Sequence, residues 1–277
     1  MLDERRRTRS MSVAARTGLN WRRCLPESRQ TRAVFVHGNP ETPAIWGPLL
    51  TELQHPDAVT LSPPGFGAEV PDGFGATADD YAAWLASELE KQEAPVDLVG
   101  HDWGGGHVMR IALERPDLIR SWAMDIAGCM APDYVWHDLA QVWQTEGAGE
   151  EFVAGTTSLP VGERAAMFES LGMTPDIARA VAEASDDAMG RCILSLYRSA
   201  AQPAMARLGE QLGAAAARPG LVIVPTEDEY TGGEARARWS AEQAKADVAV
   251  LPGLGHWWMI QDPAAGAGAL RTFWNSL

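Results

Sequence analysis

Short β-branched and apolar runs alternate along the chain with longer stretches in which apolar residues recur every three to four positions. The runs Ala33–Val36, Ala58–Leu61, Val96–Val99, Ser121–Asp125, Leu221–Val224 and Val248–Leu251 predict strands. Thr77–Lys91, Gly104–Glu114, Gly233–Ala244 and Pro263–Ser276 predict helices. Within the first of these helices Tyr81, Leu85 and Leu89 share one face, as a helix laid on a sheet requires. Strand and helix in alternation mark βαβ units, so the fold class is α/β, a mainly parallel central sheet flanked by helices.

The alternation stops between about residues 129 and 212, where helical patterns continue without a convincing strand. In open α/β folds the ligand sits beyond the carboxyl ends of the strands, so a helical insertion leaving such an end is placed to cover the site. The expected organisation is therefore a core made of residues 11–128 and 213–277, a helical cap of residues 129–212, and a disordered extension over residues 1–10. The Ala-rich segment Gly213–Arg218 reads as a helix end or linker.

Composition fits a soluble globular chain: 277 residues, 46% apolar and 22% charged, with no apolar run near the roughly 18 residues that span a bilayer. The formal net charge of −14 is unevenly spread, because residues 1–32 hold nine Arg against Asp3, Glu4 and Glu27, which leaves the remainder near −20. A body that acidic repels phosphate backbones, so neither nucleic acid nor a membrane is an expected partner. Cys24, Cys129 and Cys192 show no paired spacing, which argues against a disulfide framework or a zinc site and for a reducing, cytoplasmic setting. No metal or cofactor is expected.

The sharpest chemical signal follows the strand at Val96: Gly100, His101, Asp102, Trp103, Gly104. Small residues two positions either side of a central side chain, between strand and helix, permit a turn tight enough to expose that side chain. Here the centre is an aspartate. The competing structural reading is a helix-capping Asp among glycines that ease packing. A serine attacking saturated carbon would leave an ether that water does not readily cleave, whereas a carboxylate leaves an ester with a carbonyl open to a second attack. Asp102 thus suits displacement at saturated carbon. A base must then activate water, and His256, after the strand at Val248, is the candidate because imidazole titrates near neutral pH.

Four motifs in order, His37-Gly38-Asn39-Pro40, Pro64-Gly65-Phe66-Gly67, the Asp-centred elbow and Gly255-His256-Trp257, resemble the α/β-hydrolase superfamily from Ala33 to the C-terminus. Asp followed by Trp at the elbow is similar to its Asp-nucleophile branch, the epoxide hydrolases and haloalkane dehalogenases. The resemblance implies an α/β-hydrolase fold with a helical cap. It implies Asp228 as the acid orienting His256, with Glu227, Glu229 or Asp125 as alternatives. The backbone N–H groups of Asn39 and Trp103 become the oxyanion hole, with a cis bond before Pro40. His37 and His101 read as structural, and His55, His107 and His137 carry no assigned role.

Two substrates compete. Tyr197, in Leu194-Ser195-Leu196-Tyr197-Arg198, resembles the cap tyrosine that activates the ring oxygen in soluble epoxide hydrolases, and Trp143-Gln144-Thr145-Glu146-Gly147 also resembles their cap. The position of the usual second tyrosine falls at Leu139, with Tyr134 as a stand-in. Against this, Asn39 and the indole of Trp103 match the halide-binding pair of some dehalogenases. The preferred reading is an epoxide hydrolase acting on a small, neutral, apolar substrate and water, with haloalkane dehalogenase as runner-up. Carboxylic ester hydrolysis and a non-catalytic ligand receptor on the same scaffold are remoter alternatives.

Overall fold

The structure, a computed structural model, describes residues 31–277. Residues 1–10, expected as an extension, and Cys24 lie outside the described residues. Six strands, β1 (Ala33–Val36), β2 (Ala58–Leu61), β3 (Val96–Gly100), β4 (Ile119–Met124), β5 (Gly220–Pro225) and β6 (Asp247–Leu251), form one sheet in the order β2-β1-β3-β4-β5-β6. Every pairing is parallel. The interior strands β1, β3 and β5 are buried at every position, while the edge strands β2 and β6 are largely half-buried, which is why the former read as continuous apolar runs.

Helices cover both faces. The core helices are α1 (Gly47–Leu53), α2 (Ala78–Glu90) and α3 (Trp103–Glu114), followed after the insertion by α10 (Gly233–Ala244), α11 (Trp258–Gln261) and α12 (Pro263–Asn275). Leu85, Val108 and Ala241 of α2, α3 and α10 join one apolar core; Leu49, Trp258 and Leu270 of α1, α11 and α12 join the core on the opposite face. α2 begins where the sequence put it because the Thr77 hydroxyl accepts from the N–H of Asp80 while Asp80 accepts from the N–H of Thr77, a reciprocal cap.

Between β4 and β5 the chain forms only helices: a 3-10 turn at Ala127–Met130, then α4 (Asp138–Gln144), α5 (Ala148–Thr157), α6 (Val161–Ser170), α7 (Pro175–Ala184), α8 (Asp187–Ser199) and α9 (Ala204–Gly209). The Ala-rich linker is a 3-10 helix, Leu212–Ala217. Several boundaries shift by one residue, and β4 shifts most: it starts at Ile119 and ends at Met124, so Asp125 stands just past the strand, where its carboxylate accepts the Asp102 N–H at 3.0 Å. Among the described residues no helix is long and apolar enough to cross a membrane.

Candidate active site

The carboxyl ends of five parallel strands deliver the chemistry to one place: residues 37–41 after β1, Asp102 after β3, Asp125 after β4, Asp228 after β5 and His256 after β6. Asp102 sits at φ 49° and ψ −129°, a left-handed conformation that non-glycine residues adopt at a cost of about 1–3 kcal/mol and that clusters at functional sites. Its side chain makes no capping bond to α3, which excludes the helix-cap reading. Two glycines make room for the bend. A Cβ on Gly104 would stand 2.1 Å from the Val36 carbonyl oxygen, and one on Gly38 would stand 2.2 Å from Asp102 Oδ1.

One carboxylate oxygen of Asp102 accepts the Asn39 backbone N–H at 2.8 Å, across a loop that carries the cis Asn39–Pro40 bond. The other lies 3.8 Å from His256 Nε2, too far for a hydrogen bond, so that nitrogen remains free to take a proton within the site. On its far side His256 Nδ1 donates to Asp228 Oδ2 at 2.9 Å, and Asp228 Oδ1 accepts the Tyr230 N–H at 2.9 Å. Glu227 and Glu229 are exposed and stand outside this arrangement.

Electrostatics follow from this packing. Burial raises the Asp102 carboxyl to about 6, against the opposing pull of His256. Burial would lower His256, but the Asp228 carboxylate outweighs it and holds the imidazole above its ordinary value. Asp228 is itself depressed, because the imidazole and the Tyr230 N–H favour its anion more strongly than burial opposes it.

Asp125 does not orient His256. Its Oδ2 bonds His101 Nδ1 and accepts the Trp258 indole N–H at 2.7 Å, so the alternative acid is committed elsewhere. The opposite nitrogen of His101 bonds Glu41 Oε1 at 3.0 Å, and Glu41 also accepts the Trp257 indole at 2.6 Å and the Gly38 N–H at 2.9 Å. Burial disfavours the His101 cation, but two carboxylates outweigh it and raise this histidine well above its ordinary value. The result is a dry Glu41–His101–Asp125 bridge beneath the site. It ties the 38–41 loop, the elbow, the end of β4 and the loop after β6 together, and the rings of His101 and His256 lie 4.6 Å apart. His37, buried and held low at about 4, bonds only the Gly38 carbonyl.

Glu41, His101 and His256 could hold a metal by proximity alone. Both His101 nitrogens are already bonded to carboxylates, so the ring offers no free lone pair, and the cluster is hydrogen-bonded rather than a vacant ligand set. Glu41 was not singled out from sequence; the only hint is its place immediately after His37-Gly38-Asn39-Pro40.

Above Asp102, a cavity of about 160 Å³, open at its mouth, is walled by helices α4, α5, α6 and α8. Tyr197 enters it from α8. Its hydroxyl accepts Asn39 Nδ2 at 3.4 Å, and the Trp103 ring packs edge-to-face on the Tyr197 ring with centroids 5.3 Å apart. Burial keeps this phenol far above its ordinary pKa, hence protonated. Among the described residues no group accepts the Tyr197 proton, which leaves it for the cavity that Tyr197 lines. Leu139 lines the cavity without a donor, and the stand-in Tyr134 is spent: its hydroxyl donates to the Tyr230 carbonyl at 2.8 Å. Sequence reading missed His137 and Tyr230, which also line the cavity; for Tyr230 the available signal was its position two residues after Asp228.

Residues 33–269 match the Alpha/beta hydrolase family. The chain belongs to that family. Solved structures share its fold at low identity. A haloalkane dehalogenase, DbeA from Bradyrhizobium elkani, is 21% identical over 90% of this chain and 93% of its own, with a TM-score of 0.66. Cfl2 from Burkholderia cenocepacia is 19% identical over 89% and 88% of the two chains, at 0.72. An enol-lactonase from Burkholderia xenovorans is 18% identical over 89% and 92%, at 0.67. No curated protein matches this α/β hydrolase.

Proposed function

We propose that this α/β hydrolase opens epoxides to diols through an alkyl ester of Asp102. The observation that carries the reading is the buried Tyr197 hydroxyl, held by the Asn39 side chain and backed by the Trp103 ring, with its own proton facing the cavity above Asp102. In the first step an Asp102 oxygen attacks a ring carbon, the carbon–oxygen ring bond breaks, and Tyr197 donates to the oxygen as negative charge develops there. The product of that step is a hydroxyalkyl ester.

In the second step His256 takes a proton from water, and the resulting hydroxide attacks the ester carbonyl. The oxyanion forms on the oxygen beside the Asn39 N–H, with the Trp103 N–H at the start of α3 as the second donor. Collapse expels the diol oxygen, which takes the proton from His256; the proton left on the new Asp102 carboxyl returns to the Tyr197 phenolate, so both groups are restored, Asp102 with one oxygen from water. Asp228 holds the imidazole tautomer throughout, as its bond to Nδ1 requires. No cofactor or metal enters these steps.

A second reading, haloalkane dehalogenation, is favoured by the presence of Asn39 and Trp103. It needs their N–H groups for the departing halide, and the Asn39 amide is already engaged with Tyr197. We propose that residues 129–212 serve as the cap that shapes the apolar substrate's site, on a core of residues 31–128 and 213–277; the first residues of the expected core, 11–30, lie outside the described residues. Two buried free thiols, Cys129 and Cys192, suit the reducing cytoplasm.

The test is a panel of epoxides beside a panel of haloalkanes, scored for diol and free halide with wild type and Asp102→Ala. Diol formation abolished in Asp102→Ala is expected; halide without diol would replace this reading with the second. A single turnover in ¹⁸O-water should leave the diol unlabelled, since its oxygen comes from Asp102. Label in the first diol would exclude the ester.

A further inference from the structure

We propose that the ring of Tyr230, packed against His137, closes one of the two directions in which substituents could leave the reacting epoxide, and so restricts the site to epoxides substituted on one carbon only. This inference rests on the epoxide reading above. From Asp102 the cavity extends under the cap among Leu139, Trp143 and Ile193. Beyond Tyr230 and His137 lies an outer cleft lined by Tyr134, Val135, Asp228, Glu229 and Arg236. Tyr230 and His137 border both spaces. Their rings stand 5.1 Å apart at an interplanar angle of 70°, an edge-to-face contact that leaves no passage between them.

The partition stands at the reacting end of the cavity. Tyr230 also packs 5.1 Å from the ring of His256, so it walls off the outer cleft beside the base rather than at the distant mouth. It is anchored from both sides of its backbone: its N–H is held by Asp228 and its carbonyl by the Tyr134 hydroxyl. His137 is fixed as the cap of α4, where its Nδ1 accepts the Ala140 N–H at 3.2 Å. The His137 ring cannot turn without losing its bond to Ala140, and the Tyr230 backbone that carries its ring is held at both its N–H and its carbonyl. A chain on one epoxide carbon therefore has the cap cavity to fill, whereas a chain on the other carbon meets two rings. The anchors also mean that shortening the Tyr230 side chain removes the wall while the bonds that hold its loop remain.

The experiment uses two isomers of equal carbon content, 1,2-epoxyoctane and cis-4,5-epoxyoctane, with wild type, Tyr230→Ala, Tyr230→Leu and Tyr230→Phe. The readout is the ratio of kcat/KM for the internal over the terminal isomer, in which any general loss of activity cancels. Wild type should favour the terminal isomer by about 10-fold or more, the scale on which a pocket rejects a group it cannot seat. Tyr230→Ala should raise the ratio at least about 10-fold, Tyr230→Leu by less, and Tyr230→Phe should hold it, because the ring persists. A wild type indifferent between the isomers, or a ratio unmoved in Tyr230→Ala, would overturn the partition while leaving the epoxide reading intact. No diol from either isomer with wild type, at any concentration, would instead overturn the epoxide reading.

Discussion

The Tyr197 hydroxyl accepts the Asn39 side-chain amide at 3.4 Å, so a phenol occupies the point to which that amide would otherwise deliver its proton. On the epoxide reading, this bond turns Asn39 from a halide donor into the support of a tyrosine. Here the amide fixes a tyrosine whose remaining proton faces the cavity.

Tyr197→Phe separates the two chemistries. Removing the hydroxyl deletes the donor to the ring oxygen, so kcat on epoxides should fall about 10²–10⁴-fold, the usual worth of a positioned acid. The same change frees the Asn39 side-chain N–H into an apolar cavity beside the Trp103 indole. Bromide or iodide should then quench tryptophan fluorescence saturably in the variant more strongly than in wild type. Retained epoxide turnover would remove Tyr197 from the chemistry.

The pH profile has a stated direction. Attack needs ionised Asp102, whose carboxyl burial raises to about 6, so kcat/KM should fall tenfold per unit below that pH. Ester hydrolysis needs neutral His256, which Asp228 holds above its ordinary value despite burial. In Asp228→Asn that support is lost, so the acid limb of kcat should move to lower pH. The maximal rate should itself drop by about 10⁴, because the amide no longer selects the tautomer. An acid limb that stays in place would show that Asp228 does not act on His256.

Most of the frame was legible from sequence because buried parallel strands leave apolar runs and the elbow needs glycines at fixed offsets. Asp102, His256 and Asp228 stand at strand ends where such reading looks first. What failed to show was anything decided by cross-chain partners. Asp125 looked like an available acid until His101 and Trp258 took its oxygens. Tyr134 looked like a spare phenol until its proton went to the Tyr230 carbonyl. Glu41 had no signal of its own, since its role exists only where the loop after β1 meets His101 and Trp257.

The Glu41–His101–Asp125 bridge makes a stability prediction. His101→Gln leaves two buried carboxylates without their cation and should cost about 3–5 kcal/mol, read as a lowered midpoint in urea. The folded pKa of His101 is raised above its unfolded value, so its contribution is complete below the unfolded pKa and fades as pH climbs through the folded one. Wild-type stability should thus decline on the alkaline side, and the gap to His101→Gln should narrow there. A gap constant across pH would mean that the ring acts by shape rather than charge.

His256→Gln should separate the two chemical steps. Attack by Asp102 does not require the imidazole as a base, because the nearest approach of Nε2 to the carboxylate is 3.8 Å and no proton passes between them in forming the ester. Hydrolysis of the ester does require it, since no other neutral base faces the carbonyl: His101 is bonded through both nitrogens, and His137 has its Nδ1 engaged with Ala140. The variant should therefore take up one equivalent of epoxide and stop. Intact-protein mass spectrometry should find the enzyme heavier by one whole epoxide, with no loss of water, and digestion should locate the adduct on the peptide bearing Asp102. A variant that neither turns over nor gains mass would mean that the first step also depends on the imidazole, and the division of labour between Asp102 and His256 would have to be redrawn.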